Sequence, residues 1–332
     1  MLVNFPAIGV LYEERARFLP KFGPKNGRFP DTAPRMDTDK GETGIMTVLT
    51  LRESGWTAPK ALLLDLDGTL YKGDTPIPGA DKLIEEMTAR GVPCWFVTNN
   101  STRTPAQVAE HLHKMNIPAS PGQVITSAQA AAEYAKRNFP GASVYLIGEH
   151  GIREALREAG LSLADDREDA AADLVVQGID RGLTYERLTA AVRHLLRGAS
   201  YLLTNPDRLL PTGDGYLPGA GSIAALLEAA SGVTPTVIGK PSPILMNYAL
   251  ERAGVAAADA WVVGDNPHTD IAAGQSAGSP TVLVLTGLCT EADWRQRCEA
   301  AGALPDAVCP GLEDIVEWIT YGKNQREQHW KG

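Results

Sequence analysis

Two aspartates separated by one residue come directly after an apolar run: Asp65 and Asp67 follow Ala61–Leu64. If that run is a strand, the alternation of side chains with period two places both carboxylates on the same side of the chain, where they can share a site. Two like charges this close are costly unless a cation lies between them or one carboxyl keeps its proton. The spacing therefore indicates a site for a hard ion, and carboxylate oxygens suit Mg²⁺ better than zinc or copper.

More polar residues come directly after other apolar runs. Asp265 and Asp270 add two carboxylates, Lys240 adds a positive charge, and Thr98 and Asn99 add a hydroxyl and an amide. In doubly wound sheets, ligands bind beyond the carboxyl ends of the strands. We therefore expect these side chains to meet at one edge of a sheet.

Short apolar runs alternate with amphipathic segments from residue 60 onward. The runs that predict strands are Ala61–Leu64, Pro93–Val97, Val124–Thr126, Val144–Ile147, Leu174–Val176, Tyr201–Leu203, Thr236–Ile238, Ala260–Val263 and Thr281–Leu285. The segments that predict helices are Lys82–Ala89, Pro105–Lys114, Ser127–Arg137, Ile152–Ala159, Tyr185–Leu196, Ile244–Ala253 and Glu291–Ala301. This alternation predicts an α/β fold with a doubly wound parallel sheet and right-handed crossovers.

Composition excludes several classes of protein. The chain has 332 residues, of which 31 are Lys or Arg and 40 are Asp or Glu, for a formal net charge of −9. Without a long basic run, it is not expected to bind a nucleic acid polymer or an anionic membrane. Its apolar runs are too short to span a membrane. Its four cysteines show no Cys-x-x-Cys spacing, which favours reduced, buried thiols in a cytoplasmic protein.

The polar runs together resemble the motifs of the haloacid dehalogenase (HAD) superfamily of phosphohydrolases. The matching runs are Asp65–Tyr71, Val97–Ser101, Gly239–Pro241 and Gly264–Asp270. The long insertion between the second and third motifs is similar to the C2-type cap of the NagD-like branch. That branch also carries the runs seen here from Asn99 (Asn-Asn-Ser), Thr204 (Thr-Asn-Pro-Asp) and Gly239 (Gly-Lys-Pro-Ser-Pro).

The expected organisation follows from this likeness and from the patterns. We expect a HAD-like core in two parts, 58–141 and 235–320, around an inserted α/β cap at 142–234. Residues 1–57 are rich in Gly, Pro and charged residues and predict a disordered extension, with Met46 as an alternative start of the protein. We expect residues 321–332 to be a C-terminal tail.

The resemblance implies Mg²⁺-dependent hydrolysis of small phosphate monoesters: a sugar phosphate, a nucleoside monophosphate, phosphoglycolate or an aryl phosphate. It implies that Asp65 is the nucleophile that forms an aspartyl-phosphate, and that Asp67 is the general acid and base. The metal ligands would be Asp65, the backbone carbonyl of Asp67 and Asp265, with Asp270 binding directly or through a water.

The resemblance also assigns residues that contact the substrate. Thr98, the amides near Asn99 and Lys240 would bind the phosphoryl oxygens. Asn99 has an alternative role in shaping the turn, and the alternative for Lys240 is a solvated surface lysine. Asn205 and Asp207 would read the group attached to phosphorus from the cap, and the alternative there is a solvated loop.

Other functions remain open from the sequence. A phosphotransferase or mutase would pass the phosphoryl group to an alcohol, and a regulatory protein would bind the phosphate ester without turnover. A dehalogenase activity is less consistent with these residues, because carbon–halogen cleavage needs neither Asp67 nor the metal carboxylates. The expected partner is a small phosphorylated metabolite; the sequence leaves its identity and the assembly of a homo-oligomer open.

Overall fold

A computed structural model describes residues 58–164, 171–212 and 215–319. The predicted extension at 1–57 and the tail at 321–332 lie outside these ranges.

The described chain alternates strands and helices throughout. The strands are β1 (Ala61–Leu64), β2 (Tyr71–Lys72), β3 (Thr75–Pro76), β4 (Cys94–Thr98), β5 (Val124–Thr126), β6 (Ser143–Ile147), β7 (Ser162–Leu163), β8 (Leu174–Gln177), β9 (Ser200–Leu203), β10 (Leu209–Thr212), β11 (Gly215–Pro218), β12 (Thr236–Val237), β13 (Ala260–Gly264), β14 (Thr281–Val284) and β15 (Ala307–Cys309). The helices are α1 (Ala80–Ala89), α2 (Pro105–Lys114), α3 (Ser127–Asn138), α4 (His150–Glu158), α5 (Tyr185–Leu196), α6 (Ala220–Ser231), α7 (Pro243–Ala253), α8 (Ala272–Ala277) and α9 (Trp294–Ala301).

Every predicted strand and helix is confirmed, although several ends shift by one to three residues; α9, for example, begins at Trp294 rather than Glu291. The sequence analysis missed the helices α6 and α8 and six short strands. Helix α6 is rich in alanine and apolar on most of its surface, so it lacks the polar and apolar alternation that marks an amphipathic helix. The missed strands have only two to four residues each.

A six-stranded sheet carries the ends of the strands that hold the predicted site. Its order is β15-β14-β13-β1-β4-β5, and its paired strands are parallel. Strand β1 lies between β13 and β4, which come from distant parts of the chain. Residues that follow these three strands therefore meet where the connections diverge to opposite sides, which is the usual ligand position in a doubly wound sheet.

A second parallel sheet has five strands in the order β12-β9-β8-β6-β7. Strand β12 belongs to this sheet, because Thr236 and Val237 pair with Leu202 and Leu203 of β9. The residues just before Lys240 therefore take their register from the second sheet.

The two sheets share one apolar layer. Leu63 of β1 and Val97 of β4 belong to the same buried cluster as Ala131 of α3, Val144 of β6 and Val176 of β8. Burial of this shared surface stabilises the position of the second sheet against the first. Other buried clusters cover the remaining faces of the two sheets.

Among the described helices, none combines the length and the apolar character required to cross a bilayer.

Candidate active site

Three carboxylates converge beyond the ends of β1 and β13. Asp65 directly follows β1, Asp265 directly follows β13, and Asp270 lies in a helical turn at Pro267–Ile271. One ligand atom of each carboxylate lies within 4.8 Å of those of the others. Asn266 fixes the turn, because its backbone N–H donates to Asp270 Oδ2 at 3.1 Å. The expected meeting of these three residues at one sheet edge is thus what the fold produces.

Lys240 enters the same cluster from the loop after β12. Its Nζ lies 2.5 Å from Asp65 Oδ1 and 2.6 Å from Asp270 Oδ1, and it donates to the carbonyl of Val97 at 3.2 Å. Only 2% of the residue is exposed. The alternative of a solvated surface lysine is therefore wrong.

The cluster holds more negative charge than one lysine can balance. Burial raises the pKa of Asp65 well above its ordinary value, and the charges of Asp270 and Asp265 raise it further, against Lys240, which lowers it. Burial, followed by the charge of Asp270, raises the pKa of Asp265 to about 7. Burial alone would lower the pKa of Lys240, but the carboxylates of Asp270 and Asp65 hold it above its usual range.

These residues fit a hard divalent cation. The donors are carboxylate oxygens, which Mg²⁺ prefers, and a further cation would relieve the repulsion among them. The surrounding backbone keeps room for the Asp265 carboxylate: a Cβ at Gly68 or Gly287 would overlap it. Gly68 also has a φ of +90°, which other residues rarely adopt.

Asp67 and Thr98 face a cleft of about 710 Å³ that opens above the cluster. Asp67 is exposed, and its backbone bridges to Tyr71 at the start of the β2–β3 hairpin. Thr98 is 9% exposed, and its Oγ1 accepts a hydrogen bond of 3.1 Å from the N–H of Asn100. Since that hydroxyl is the acceptor in this bond, its proton is available to a ligand in the cleft.

The side chain of Asn99 is directed at Lys240 rather than at open space. Its Oδ1 accepts from the Lys240 N–H at 2.8 Å, and its Nδ2 donates to the Lys240 carbonyl at 3.0 Å. These bonds tie the loop after β4 to the loop after β12, and Asn99 also lines the cleft.

The loop after β9 docks onto the core beside Asn99. Asn205 is 8% exposed, and its Nδ2 donates to the Asn99 carbonyl at 2.9 Å. Asp207 Oδ2 lies 3.4 Å from Asn99 Nδ2, and burial raises the pKa of Asp207. Thr204 is fully buried. A solvated loop is therefore the wrong description of this segment, and both Asn205 and Asp207 line the cleft.

Sequence reasoning missed a loop that supports two of the motifs. Thr286 Oγ1 donates to the Gly68 carbonyl at 2.8 Å, and the Leu288 N–H donates to Asp265 Oδ2 at 2.6 Å. The signal was present, since Thr286 directly follows the strand predicted at Thr281–Leu285.

The rim of the cleft was also missed. It includes Arg103, Arg181, Leu209 and Leu210. The guanidinium of Arg181 is held by Glu149 through two hydrogen bonds of 2.8 Å. No local pattern marked these side chains, because Arg103 and Arg181 come from loops that follow strands of the two different sheets, and Leu209 and Leu210 come from the β10–β11 hairpin.

Several known proteins that are similar to this chain are named as phosphatases. A haloacid dehalogenase-like hydrolase family model matches residues 62–162, and a HAD-hydrolase-like model matches residues 237–315. An acid sugar phosphatase of Staphylococcus aureus is 45% identical over 234 residues, which cover 70% of this chain and 89% of that protein.

Solved structures agree with these matches. A double mutant of a thermostable NPPase from Geobacillus stearothermophilus is 41% identical, with a TM-score of 0.70 over 78% of this chain and 98% of that one. A p-nitrophenyl phosphatase from Archaeoglobus fulgidus is 39% identical, with a TM-score of 0.73 over the same shares of 78% and 98%. The chain belongs to the haloacid dehalogenase superfamily and is a phosphatase of its NagD-like branch.

Proposed function

We propose that this phosphatase hydrolyses small phosphate monoesters in a Mg²⁺-dependent reaction, through a phosphoryl intermediate on Asp65. The observation that carries the proposal is the convergence of Asp65, Asp265 and Asp270 within 4.8 Å, with Lys240 against two of them. A carboxylate cluster with a buried lysine can receive a phosphate dianion only if further positive charge balances it.

In the first step, the Asp65 carboxylate attacks phosphorus and the bond from phosphorus to the leaving oxygen breaks. Because Oδ1 of Asp65 accepts from Lys240, we assign the attack to Oδ2. Asp67, on the exposed side of the cleft, gives its proton to the leaving oxygen, so an alcohol departs. Two displacements of moderate difficulty thereby replace a single difficult one.

In the second step, water attacks the phosphorus of the aspartyl-phosphate. Asp67, now a carboxylate, takes a proton from that water as the bond between phosphorus and Asp65 breaks. Inorganic phosphate leaves, and the Asp65 carboxylate and the Asp67 acid are restored for the next turnover.

Thr98 and Lys240 are the proposed contacts of the phosphoryl oxygens. At about 4 Å and an effective dielectric of about 20, a unit charge pair interacts with about 4 kcal/mol, so an anionic nucleophile and a phosphate dianion repel each other strongly. The Lys240 ammonium and the Thr98 hydroxyl reduce this repulsion and stabilise the transition state.

Mg²⁺ would be held by Asp65, Asp265 and the Asp67 carbonyl, with Asp270 binding directly or through a water. When bound, it supplies positive charge that neutralises the carboxylates and the phosphate. The raised pKa values of Asp65 and Asp265 support this, because burial and the charge of Asp270 make both carboxylates costly to hold ionised without a further cation.

Sugar phosphates and aryl phosphates are the substrate classes that the relatives' names favour. The volume of the cleft, about 710 Å³, lies within the range of small-molecule sites. Leu209 and Leu210 offer apolar contact and Arg103 offers positive charge, whereas the charge of Arg181 is paired with Glu149, so the rim suits leaving groups of mixed character. We place Asn205 and Asp207 at the inner wall beside the leaving group.

The test is phosphate release by the purified protein from a panel of sugar phosphates, nucleoside monophosphates, phosphoglycolate and p-nitrophenyl phosphate, with Mg²⁺ and with EDTA. We expect turnover with Mg²⁺ and its loss in EDTA. Asp65→Asn should lower kcat at least about a thousandfold, as expected when a nucleophile is removed. Asp81→Asn, an exposed aspartate on α1, is the matched control.

Three outcomes would contradict the proposal. Full activity of Asp65→Asn would exclude it as the nucleophile. Tight binding of phosphate esters without phosphate release would indicate a regulatory protein. Transfer of the phosphoryl group to an added alcohol in preference to water would indicate a phosphotransferase.

A further inference from the structure

The backbone next to Lys240 is positioned by the second sheet, whereas the Lys240 side chain reaches carboxylates that follow strands of the first sheet. The N–H groups of Ile238 and Gly239 donate to the carbonyls of Leu203 and Thr204, both at 2.9 Å, and this continues the pairing of β12 with β9. The backbone that leads to Lys240 thus takes its position from the second sheet, whereas its Nζ lies among carboxylates that follow strands of the first. Any shift between the sheets would move the ammonium away from Asp65.

Asn99 links the loop after β4 of the first sheet to the Lys240 backbone. It follows β4 of the first sheet, and its amide makes both hydrogen bonds that the Lys240 backbone offers, at 2.8 Å to the N–H and 3.0 Å to the carbonyl. Only a side chain with a donor and an acceptor on one planar group can make this pair. Gly239 permits the approach, because a Cβ there would meet Asn99 Oδ1 at 2.5 Å.

The same amide also contacts the loop after β9. Asn99 Nδ2 lies 3.4 Å from Asp207 Oδ2. The backbone carbonyl of Asn99 accepts hydrogen bonds from Asn205 Nδ2 at 2.9 Å and from Ser127 Oγ of α3 at 2.6 Å. Asn99 is therefore tied to the loop that lines the cleft as well as to the lysine. The donor and acceptor atoms of its side chain are engaged with the protein.

We infer that Asn99 is a positioning residue: its amide holds the Lys240 backbone so that the ammonium reaches Asp65, and it couples this placement to Asp207 in the loop after β9. The inference rests on the proposed role of Lys240 in phosphoryl transfer. It assigns to the Asn99 side chain an action through Lys240, and it leaves the backbone amides near Asn99 as the groups that the motif implies for the phosphoryl oxygens.

The first test separates positioning from phosphate binding. Asn99→Ala removes both bonds to Lys240, and a misplacement of about 1 Å at a reacting centre costs about a hundredfold in rate. We expect kcat to fall about a hundredfold, because a misplaced ammonium stabilises the transition state less, and we expect a smaller rise in KM and in the inhibition constant of inorganic phosphate, because Lys240 also contacts the phosphoryl oxygens. Asn138→Ala, which removes an exposed asparagine at the end of α3, is the matched control and should retain wild-type kinetics.

The second test measures the coupling to Asp207. Asn99→Asp keeps an acceptor for the Lys240 N–H, but it loses the donor to the Lys240 carbonyl and places a second carboxylate against Asp207. Asp207→Asn in the same chain restores a donor and acceptor pair between the two positions. We expect kcat of the double variant to be at least about tenfold higher than kcat of Asn99→Asp. Asp207→Asn alone is the remaining single variant of this double-mutant cycle.

The outcomes that would overturn the inference are distinct. An Asn99→Ala enzyme with wild-type kcat and a raised KM would make Asn99 a phosphate ligand. A double variant no more active than Asn99→Asp would remove the coupling. If Asn99→Ala does not fold, which circular dichroism shows, the Asn99→Asp comparison still decides.

The inference can also fail separately from the proposed function. If the wild-type enzyme and Asn138→Ala release no phosphate, the proposed function fails, and crystal structures of the wild type and Asn99→Asp then test the placement alone. The inference predicts that Lys240 Nζ lies within hydrogen-bond distance of Asp65 in the wild type and beyond it in the variant. An unmoved Lys240 would refute it.

Discussion

Lys240 Nζ lies 2.5 Å from Asp65 Oδ1, although 175 positions separate the two residues in the chain. The ammonium also lies 2.6 Å from Asp270, and its residue is 2% exposed. A buried cation between two carboxylates is costly to separate, because the partners would be left desolvated and unpaired. This contact therefore makes the site sensitive to any change that moves the lysine.

Lys240→Met should lower the free energy of unfolding by about 3 kcal/mol in EDTA at neutral pH, since breaking a buried ion pair leaves uncompensated charge. Chemical denaturation of the metal-free protein measures this. Lys60→Met is the control, because Lys60 pairs with Asp259 at an exposed position and such pairs contribute at most about 1 kcal/mol. Equal losses in the two variants would show that the Lys240 pairs do not stabilise the fold.

Mg²⁺ should raise the unfolding temperature of the wild type, with about 2.7 kcal/mol of added stability at a hundred times its dissociation constant. Burial and the charge of Asp270 raise the pKa of Asp265, so its charge is unfavourable without the ion. Asp265→Asn should therefore be at least as stable as the wild type in EDTA and less stable than it in Mg²⁺. Calorimetry in both buffers checks this reversal, and an equal Mg²⁺ shift in the two proteins would exclude Asp265 as a ligand.

Gly287→Ala should reduce kcat by at least about tenfold and weaken Mg²⁺ binding, because its Cβ would overlap the Asp265 carboxylate and displace it. Kinetics across a Mg²⁺ titration measure both effects. Gly122→Ala is the control, since a Cβ there meets nothing within 4 Å. Wild-type activity of Gly287→Ala would mean that Asp265 can move without loss.

The second sheet should become less stable in acid because of His194. This histidine is 2% exposed and packs against Tyr145 with ring centroids 4.8 Å apart. Burial, followed by the charge of Arg197, lowers its pKa. A lowered pKa means that the folded state binds the proton less readily than the unfolded state, so this contribution to stability is complete above about pH 6.5 and is lost as the pH falls.

Thermal unfolding of the wild type and His194→Gln between pH 5 and 8 tests this, and the variant should show the smaller loss on acidification. His113→Gln, at an exposed position on α2, controls for the loss of a histidine. Identical pH dependence in His194→Gln and the wild type would contradict the prediction.

Much of the site was predictable because its signals are local. Asp65 and Asp67 share one side of the chain because strand residues alternate, and the rule that ligands lie beyond strand ends brought Asp265 and Lys240 into the same expected cluster. The same rule, applied after β14, would have found Thr286, which supports the backbone at Gly68.

The sequence by itself determined nine of the described strands and seven of the described helices, and which residue types stand at their ends, because hydrophobic periodicity and turn chemistry act over a few neighbouring residues. Only the tertiary structure decided that the backbone before Lys240 is registered with the second sheet and that the Asn99 side chain hydrogen-bonds the Lys240 backbone. These relationships depend on how two sheets pack across a shared apolar layer, and residues more than a hundred positions apart leave no local pattern that specifies such an arrangement.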